Sequence, residues 1–404
     1  MSDAIKRISI EGFKSIRRLE NFELRGLNVL IGANGAGKSN FVDFLRVLRE
    51  LANQRLQTTI GQAGGVDAFL HLGPKITRQI VGKIAFDDNN GYEFALVPTH
   101  DNRFLFETET VVVIDWLANP DRTSGPSERV SLGSGHREAG LGSSGSLEAQ
   151  RIDVRMVQGM LSNILVYHFH DTSATAGVRR QIAINQNDYF YADGSNLAAF
   201  LYRMVYENPV CYQRIRDVVR LAAPFFADFQ LRPNPLVTAM IQLEWRQNDS
   251  DHPFLASQLS DGTLRFICLA TVLLQPKPPA VMVFDEPELG LHPHALKLLA
   301  SLLQQASTRT SHQVIVSTQS AQLVNEFEPE DIIVVERTQG ESVFRRLETA
   351  TLSGWLEDYS LGELWQKNVF GGGPRSETVP IPPDGEGGSA DIPEGGKIAG
   401  DGRS

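Results

Sequence analysis

Ile31-Gly32-Ala33-Asn34-Gly35-Ala36-Gly37-Lys38-Ser39-Asn40 lies between two segments of different period. Before it runs Leu27-Asn28-Val29-Leu30-Ile31, an apolar stretch that reads as a short buried strand. After it come Phe41, Val42, Phe44, Leu45, Val47 and Leu48, whose spacing predicts a helix. Strand, glycine-rich loop and helix in that order are the context of a phosphate-binding loop. Gly32, Gly35 and Gly37 let successive backbone N–H groups turn toward one point, and the helix N-terminus adds positive potential there. Asn34, Ala36 and Asn40 complete the loop. Lys38 is expected to reach the β- and γ-phosphates, and Ser39 to offer its hydroxyl to Mg²⁺.

A second signal lies 250 residues on, at Ala280-Val281-Met282-Val283-Phe284-Asp285-Glu286-Pro287. A continuous apolar run ending in acid reads as a central parallel strand with its carboxylates at the edge where ligands gather. Asp285 is expected to hold Mg²⁺, directly or through water, and Glu286 to orient and activate the attacking water. Adjacent residues of a strand point to opposite faces, so the two acids can take different roles. Upstream, Leu259-Ser260-Asp261-Gly262-Thr263-Leu264-Arg265 opens a helix whose N-terminus is an anion site in waiting; an ordinary Ser-capped helix has the same spacing. Downstream, Gln313-Val314-Ile315-Val316-Ser317-Thr318-Gln319-Ser320 reads as another buried strand, placing Thr318 or Gln319 beside the γ-phosphate.

The composition sets the frame. A 42% apolar, 21% charged chain of 404 residues can build one large or two medium domains. The formal net charge of -10 gives no global attraction for nucleic acid, although a local basic patch is compatible with it. Cys211 and Cys268 form no CxxC pair, which fits a reducing compartment and gives no zinc site. The N-terminus lacks the apolar core of a signal peptide, and no run approaches the roughly 20 apolar residues of a membrane span. A soluble cytoplasmic protein without membrane contact is expected.

In chain order, residues 1–118 read as the N-terminal half of a nucleotide-binding head, with strands at 8–13, 26–31, 76–86, 92–97 and 111–116. Residues 119–150, rich in Gly, Ser and charge, read as an exposed flexible loop. Residues 151–250 read as a compact, mainly helical inserted lobe returning to strands, with a helix at 151–166 and Ser195 or Asp193 as a later helix cap. Tyr167-His168-Phe169-His170-Asp171 stands within it. Two histidines could ligate a metal, but with no further ligand cluster near them a structural role is expected. Residues 251–370 form the C-terminal half of the head, and 371–404, rich in Gly, Pro and acid, a disordered tail.

This order of motifs resembles the ABC-type ATPase heads of the RecF and SMC class, and looks closest to the RecF-like predicted ATPases often labelled AAA family. GFKSI at 12–16, GANGAGKS at 32–39, DGSNLAAFLY at 193–202 and LSDGTLRF at 259–266 carry the resemblance. FDEPELGLHP at 284–293, VSTQS at 316–320 and LGELWQKNVFGG at 361–372 complete it. The resemblance implies an α/β fold: a P-loop head of mixed sheet and flanking helices. It implies ATP and Mg²⁺ as cofactors and two heads dimerising head-to-tail, ATP lying between one subunit's phosphate loop and the other's signature. Ser260 and Gly262 would then touch the nucleotide held by the other subunit, and Glu288 to His292 would form the crossing segment. Asp261 departs from the glycine of transporter signatures. Gln319 stands where the switch histidine is usual, and glutamine can donate a hydrogen bond but takes no proton near neutral pH. Gln57, Gln62 and Gln79 are all candidates for the Q-loop, and no toprim-type nuclease domain is expected after residue 370. The implied function is an ATP-gated homodimeric ATPase in DNA repair, DNA maintenance or phage defence, with DNA as a candidate partner. The competing reading is a regulatory ATPase module that controls a partner effector without contacting DNA.

Overall fold

The computed structural model describes residues 4–87, 90–114, 127–142, 148–308, 312–352 and 354–373. The chain opens with β1 (Arg7–Phe13) and β2 (Ile16–Glu23), an antiparallel hairpin turning at Lys14-Ser15, and continues into β3 (Leu27–Ile31). β2 escapes a reading by alternation. Only Ile16 and Leu19 are buried, at a spacing of three, and the pairing slips near Asn21, whose φ is 45°. α1 (Lys38–Ala52) buries Phe41, Phe44, Leu45, Leu48 and Leu51, one stripe at helical spacing, and α2 (Leu56–Gln62) follows.

β4 (Ile80–Ala85), β5 (Gly91–Pro98), β6 (Phe104–Ile114) and β7 (Ser127–Gly133) extend the hairpin into an antiparallel sheet of order β2-β1-β4-β5-β6-β7. The expected loop at 119–150 is therefore corrected where it is described. Ser127–Gly133 pairs with β6, and the following turn is tied down by Glu109, fully buried on β6. That carboxylate accepts from Tyr92 Oη at 2.7 Å, His136 Nε2 at 2.6 Å and Gly140 N at 2.8 Å. Residues 115–126 and 143–147 lie outside the described residues, as does the expected disordered tail from 374 onward.

α3 (Ile152–Ser162) stops at Asn163, and β8 (Ile164–Tyr167) begins at once, where the helical expectation ran on to 166. Because β8 joins the main sheet, the inserted portion starts at His168 instead of residue 151. It holds β9 (Ile182–Ala183), α4 (Leu197–Glu207), α5 (Pro209–Ala222), β10 (Phe226–Gln230), β11 (Met240–Ile241), β12 (Glu244–Gln247) and β13 (Pro253–Leu255). These strands form two small sheets, β10-β12-β13 and β11-β9. The cap position of α4 is Asn196; Ser195 instead bonds the Asp193 carboxylate through its N–H at 3.0 Å and its hydroxyl at 2.8 Å.

The chain then returns to the head through α6 (Asp261–Leu274), β14 (Val281–Asp285), α7 (Pro293–Ser307), β15 (Gln313–Thr318), α8 (Ala321–Val324), β16 (Ile332–Thr338), β17 (Glu341–Arg346), α9 (Thr349–Leu352) and α10 (Leu361–Gln366). The main sheet runs β17-β16-β3-β15-β14-β8, parallel throughout except for β17. Successive residues of its strands serve two cores. Leu30, Val281, Val283, Ile315 and Ile333 pack toward α1, α3 and the antiparallel sheet. Val29, Met282, Phe284, Val316 and Val334 pack toward α6, α7 and the α4–α5 pair. Burial on both faces is why these strands read as unbroken apolar runs. Their carboxyl ends, at Ile31, Thr318, Asp285 and Tyr167, come to one edge, and the site lies there.

Candidate nucleotide-binding and catalytic site

The phosphate loop leaves β3 at Gly32 and enters α1 at Gly37, which has φ 115° and no side-chain cap. A Cβ on Gly37 would lie 2.0 Å from Ser342 Oγ, so glycine is required by space as well as by conformation. With no cap, the first N–H groups of α1 are left for another acceptor. Lys38 is 5% exposed, and its Nζ donates to Gly32 O at 2.7 Å and Ala33 O at 3.2 Å. Burial lowers its pKa, while Glu286, Asp285 and Glu288 oppose that shift. Behind the loop a directed chain of hydrogen bonds runs from Asn40 Nδ2 to Ser15 Oγ, on to Ser342 Oγ, and from there to Ala36 O, each at 2.6 Å.

The acids arrive from β14. Asp285 Oδ1 accepts from the Ser317 hydroxyl of β15. Glu286 turns out of the strand with φ 46°, its N–H bonded to Ser317 O at 2.8 Å and its Oε1 accepting from Gln319 Nε2. Thr318 is fully buried and donates Oγ1 to Glu288 Oε1 at 2.6 Å, so of the two switch candidates Gln319 is the one whose side chain faces the cleft. Glu288 also accepts from Gln319 N at 2.8 Å; its Oε2 is buried without a partner, and burial raises its pKa.

Asn34, Gly35, Gly37, Lys38, Ser39, Asn40, Glu286 and Gln319 thus line one cleft of about 170 Å³, with Gly32 and Ala36 buried beneath it. The cleft's chemistry suits a nucleoside triphosphate. A buried ammonium and uncapped helix N–H groups suit phosphate, and the Ser39 hydroxyl and Asp285 carboxylate are the hard oxygen donors that Mg²⁺ takes. Among the described residues no three His, Cys, Asp or Glu side chains gather as a metal cluster.

Ser260 and Gly262 are elsewhere. Ser260 caps α6, its Oγ accepting from Thr263 N at 3.1 Å, and both residues line a separate cavity of about 90 Å³ with Gly290 and His292. A Cβ on Gly262 would meet Gly290 O at 2.0 Å, so the signature helix and the segment after Glu286 touch backbone to backbone. Arg265, 7% exposed, locks that contact by donating to Leu289 O and, at 2.9 Å, to Phe169 O. Of the Q-loop candidates, Gln57 donates Nε2 to Phe104 O at 3.0 Å and Arg137 O at 2.6 Å, Gln62 ends α2, and Gln79 backs Gly12; none lines the cleft. The residue that follows β8 is His168, whose Nε2 meets Arg46 Nη2. Burial, and after it the charge of Arg46, lowers its pKa to about 4, leaving the ring neutral.

Ser15, Ser342, Arg265 and His168 received no site role from sequence. Ser15, Arg265 and His168 lie in the quoted motifs, so a signal existed for them. Ser342 had none, since it meets Ala36 across 306 residues.

Residues 27–110 and 168–325 match the family described as "AAA domain, putative AbiEii toxin, Type IV TA system". No curated protein matches. Among solved structures, the chain is similar to an Smc head bound to the C-terminal winged-helix domain of ScpA, with a TM-score of 0.56 and 17% identity over 86% of this chain and 99% of that one. It is also similar to the Pyrococcus furiosus Smc head domain with an extended coiled coil, bound to the C-terminal domain of ScpA. There the TM-score is 0.53 and the identity 15%, over 88% of this chain and 98% of the other. At these identities the likeness is one of fold.

Proposed function

The chain belongs to the AAA-domain family described with the putative AbiEii toxin of type IV toxin–antitoxin systems and has the fold of an SMC-like ATPase head, and from that premise we propose that it binds and hydrolyses ATP as an ATP-gated homodimer. The observation that carries the proposal is the cleft in which the phosphate loop of β3–α1, Glu286 of β14 and Gln319 of β15 converge. In this reading Lys38 and the N–H groups of α1 hold the phosphates. Ser39 and Asp285 would hold Mg²⁺, which would neutralise phosphate charge. Glu286 takes a proton from the attacking water, and Gln319 holds the carboxylate in position through its amide. Ser260 and Gly262, standing apart from the cleft, serve the nucleotide of the second subunit.

The role proposed is DNA repair, DNA maintenance or phage defence. The family's description with toxin–antitoxin systems, and the ScpA domains bound to the related heads, favour a second reading in which ATP closure controls a partner protein and DNA is not touched. Measuring ATP hydrolysis and DNA binding at several salt concentrations separates the two. If DNA is the ligand, ATP-dependent binding weakens steeply with salt, because phosphate contacts release counterions. DNA binding that is absent with ATP, or indifferent to salt, selects the partner-protein reading. No hydrolysis at all sinks both.

A further inference from the structure

The LGELWQKNVFGG motif at 361–372 has a place that the proposed function does not use. α10 opens on Ser360, whose N–H donates to Glu363 Oε2 at 2.9 Å, and its first turn lies on α8. Gly362 N donates to Asn325 Oδ1 at 2.5 Å, and a Cβ on Gly362 would strike Ala321 O. α8 is a single turn that begins directly after Ser320, its cap, and a helix so short holds no geometry of its own. α10 therefore helps to fix the residue that precedes that cap, Gln319. The other end of the motif reaches the phosphate loop. After α10 the chain turns back through Gly371 and Gly372, at φ 85° and 79°, with Arg345 Nη2 donating to Phe370 O at 2.6 Å. Gly372 N donates to Glu336 Oε1 of β16 at 3.2 Å. A Cβ on Gly372 would lie 3.0 Å from Val334 Cγ1, 3.1 Å from Trp365 Nε1 and 3.7 Å from Gly32 Cα, so the turn is seated against the first residue of the loop. Gly32 is the residue whose carbonyl accepts from Lys38 Nζ at 2.7 Å. Between the two ends, Leu364, Trp365 and Phe370 are buried in the core.

One buried segment thus touches both walls of the cleft, the switch through α8 and the lysine through Gly32. Resting on the ATPase reading, we propose that residues 361–372 form a brace that holds Gln319 and the phosphate loop at the separation hydrolysis needs, with Asn325 and Glu336 as its positioning residues. Neither lines the cleft. Each accepts a backbone N–H of the brace, Gly362 N for Asn325 and Gly372 N for Glu336. Gln319 holds the Glu286 carboxylate, so a displaced switch slows the chemical step. The phosphate loop keeps its own anchor, since β3 is paired with both β15 and β16, and ATP affinity is spared.

The test uses the full chain and measures ATP affinity by calorimetry, kcat by phosphate release, and the melting temperature. Asn325→Ala and Glu336→Ala each lower kcat about tenfold or more, while the ATP dissociation constant stays within about threefold of the wild type. Aspartate and glutamine keep an acceptor oxygen at the same reach, so Asn325→Asp and Glu336→Gln hold kcat within about threefold of the wild type. The double alanine variant is no slower than the slower single, because both act along one brace. A wild-type kcat in Asn325→Ala or Glu336→Ala, with or without a lower melting temperature, overturns the proposal, and so does a double variant whose losses multiply. If Glu336→Ala does not fold, the alanine and aspartate variants of Asn325, an exposed residue, decide. Absence of ATP hydrolysis by the wild type would instead overturn the ATPase reading, before any variant is made.

Discussion

Lys38 is nearly enclosed, its ammonium resting on two carbonyls of its own loop. Phosphate oxygens would replace those carbonyls with charge-assisted bonds. Lys38→Ala should therefore weaken ATP binding by about 3 kcal/mol, roughly a hundredfold, as read by calorimetry. Near-wild-type affinity would remove the phosphate-loop assignment. Glu286 is a different kind of residue. Held at φ 46° with its carboxylate against the Gln319 amide, it is oriented by its surroundings. Glu286→Gln keeps the side chain's reach and removes its basicity. The expected outcome is ATP that binds and is not cleaved; turnover at the wild-type rate in a phosphate-release assay would take the catalytic base away from Glu286. Because Gln319 relays no proton, the wild type itself should turn over slowly, below about 1 s⁻¹.

The connections between elements rest on a few buried polar side chains. Glu109 is one: fully buried on β6, it gathers Tyr92 of β5 and both His136 and Gly140 of the turn after β7. Glu109→Ala leaves the Tyr92 hydroxyl buried without its acceptor, which should cost about 2–3 kcal/mol in urea unfolding. It should also expose residues 134–142 to limited proteolysis in the folded state; unchanged stability together with an unchanged cleavage pattern would show that the turn is held by other contacts. Arg265 does the corresponding work at the signature helix. Its hydrogen bonds tie α6 to the segment after β14 and the segment after β8.

For the whole molecule, the decisive feature is the separation between the cleft and Ser260. Within one chain they line different cavities. Under the proposed function, a nucleotide that engages both joins two chains. Glu286→Gln with ATP should then run as a dimer in light scattering, while the wild type returns toward monomer as ATP is consumed. Adding Ser260→Arg puts bulk and charge at the proposed facing surface and removes the α6 cap; with the fold checked by circular dichroism, it should abolish the dimer while leaving ATP binding in place. A dimer that survives Ser260→Arg would remove the signature from the nucleotide.

Among the described residues no helix is long and apolar enough to cross a membrane, and the chain's alternation of strand and helix was legible without coordinates. The glycine-rich loop after β3, the acidic end of β14 and the parallel strands beside it are legible in sequence because each is local. Glycines, lysine and serine sit within eight residues, and strands buried on both faces are apolar without interruption. Tertiary structure alone decided what depends on distant segments meeting. β2 and β7 take their strand form from neighbours, against a pattern that reads as charge and glycine. Thr318 is withdrawn from the cleft by Glu288, which no spacing within 313–320 could reveal. Tyr167 stands level with Phe284 only because β8 and β14 pair, across more than 110 residues. Chemistry carried by one turn of chain is written in order along it, while chemistry assembled at a sheet edge is set by which strands lie next to each other.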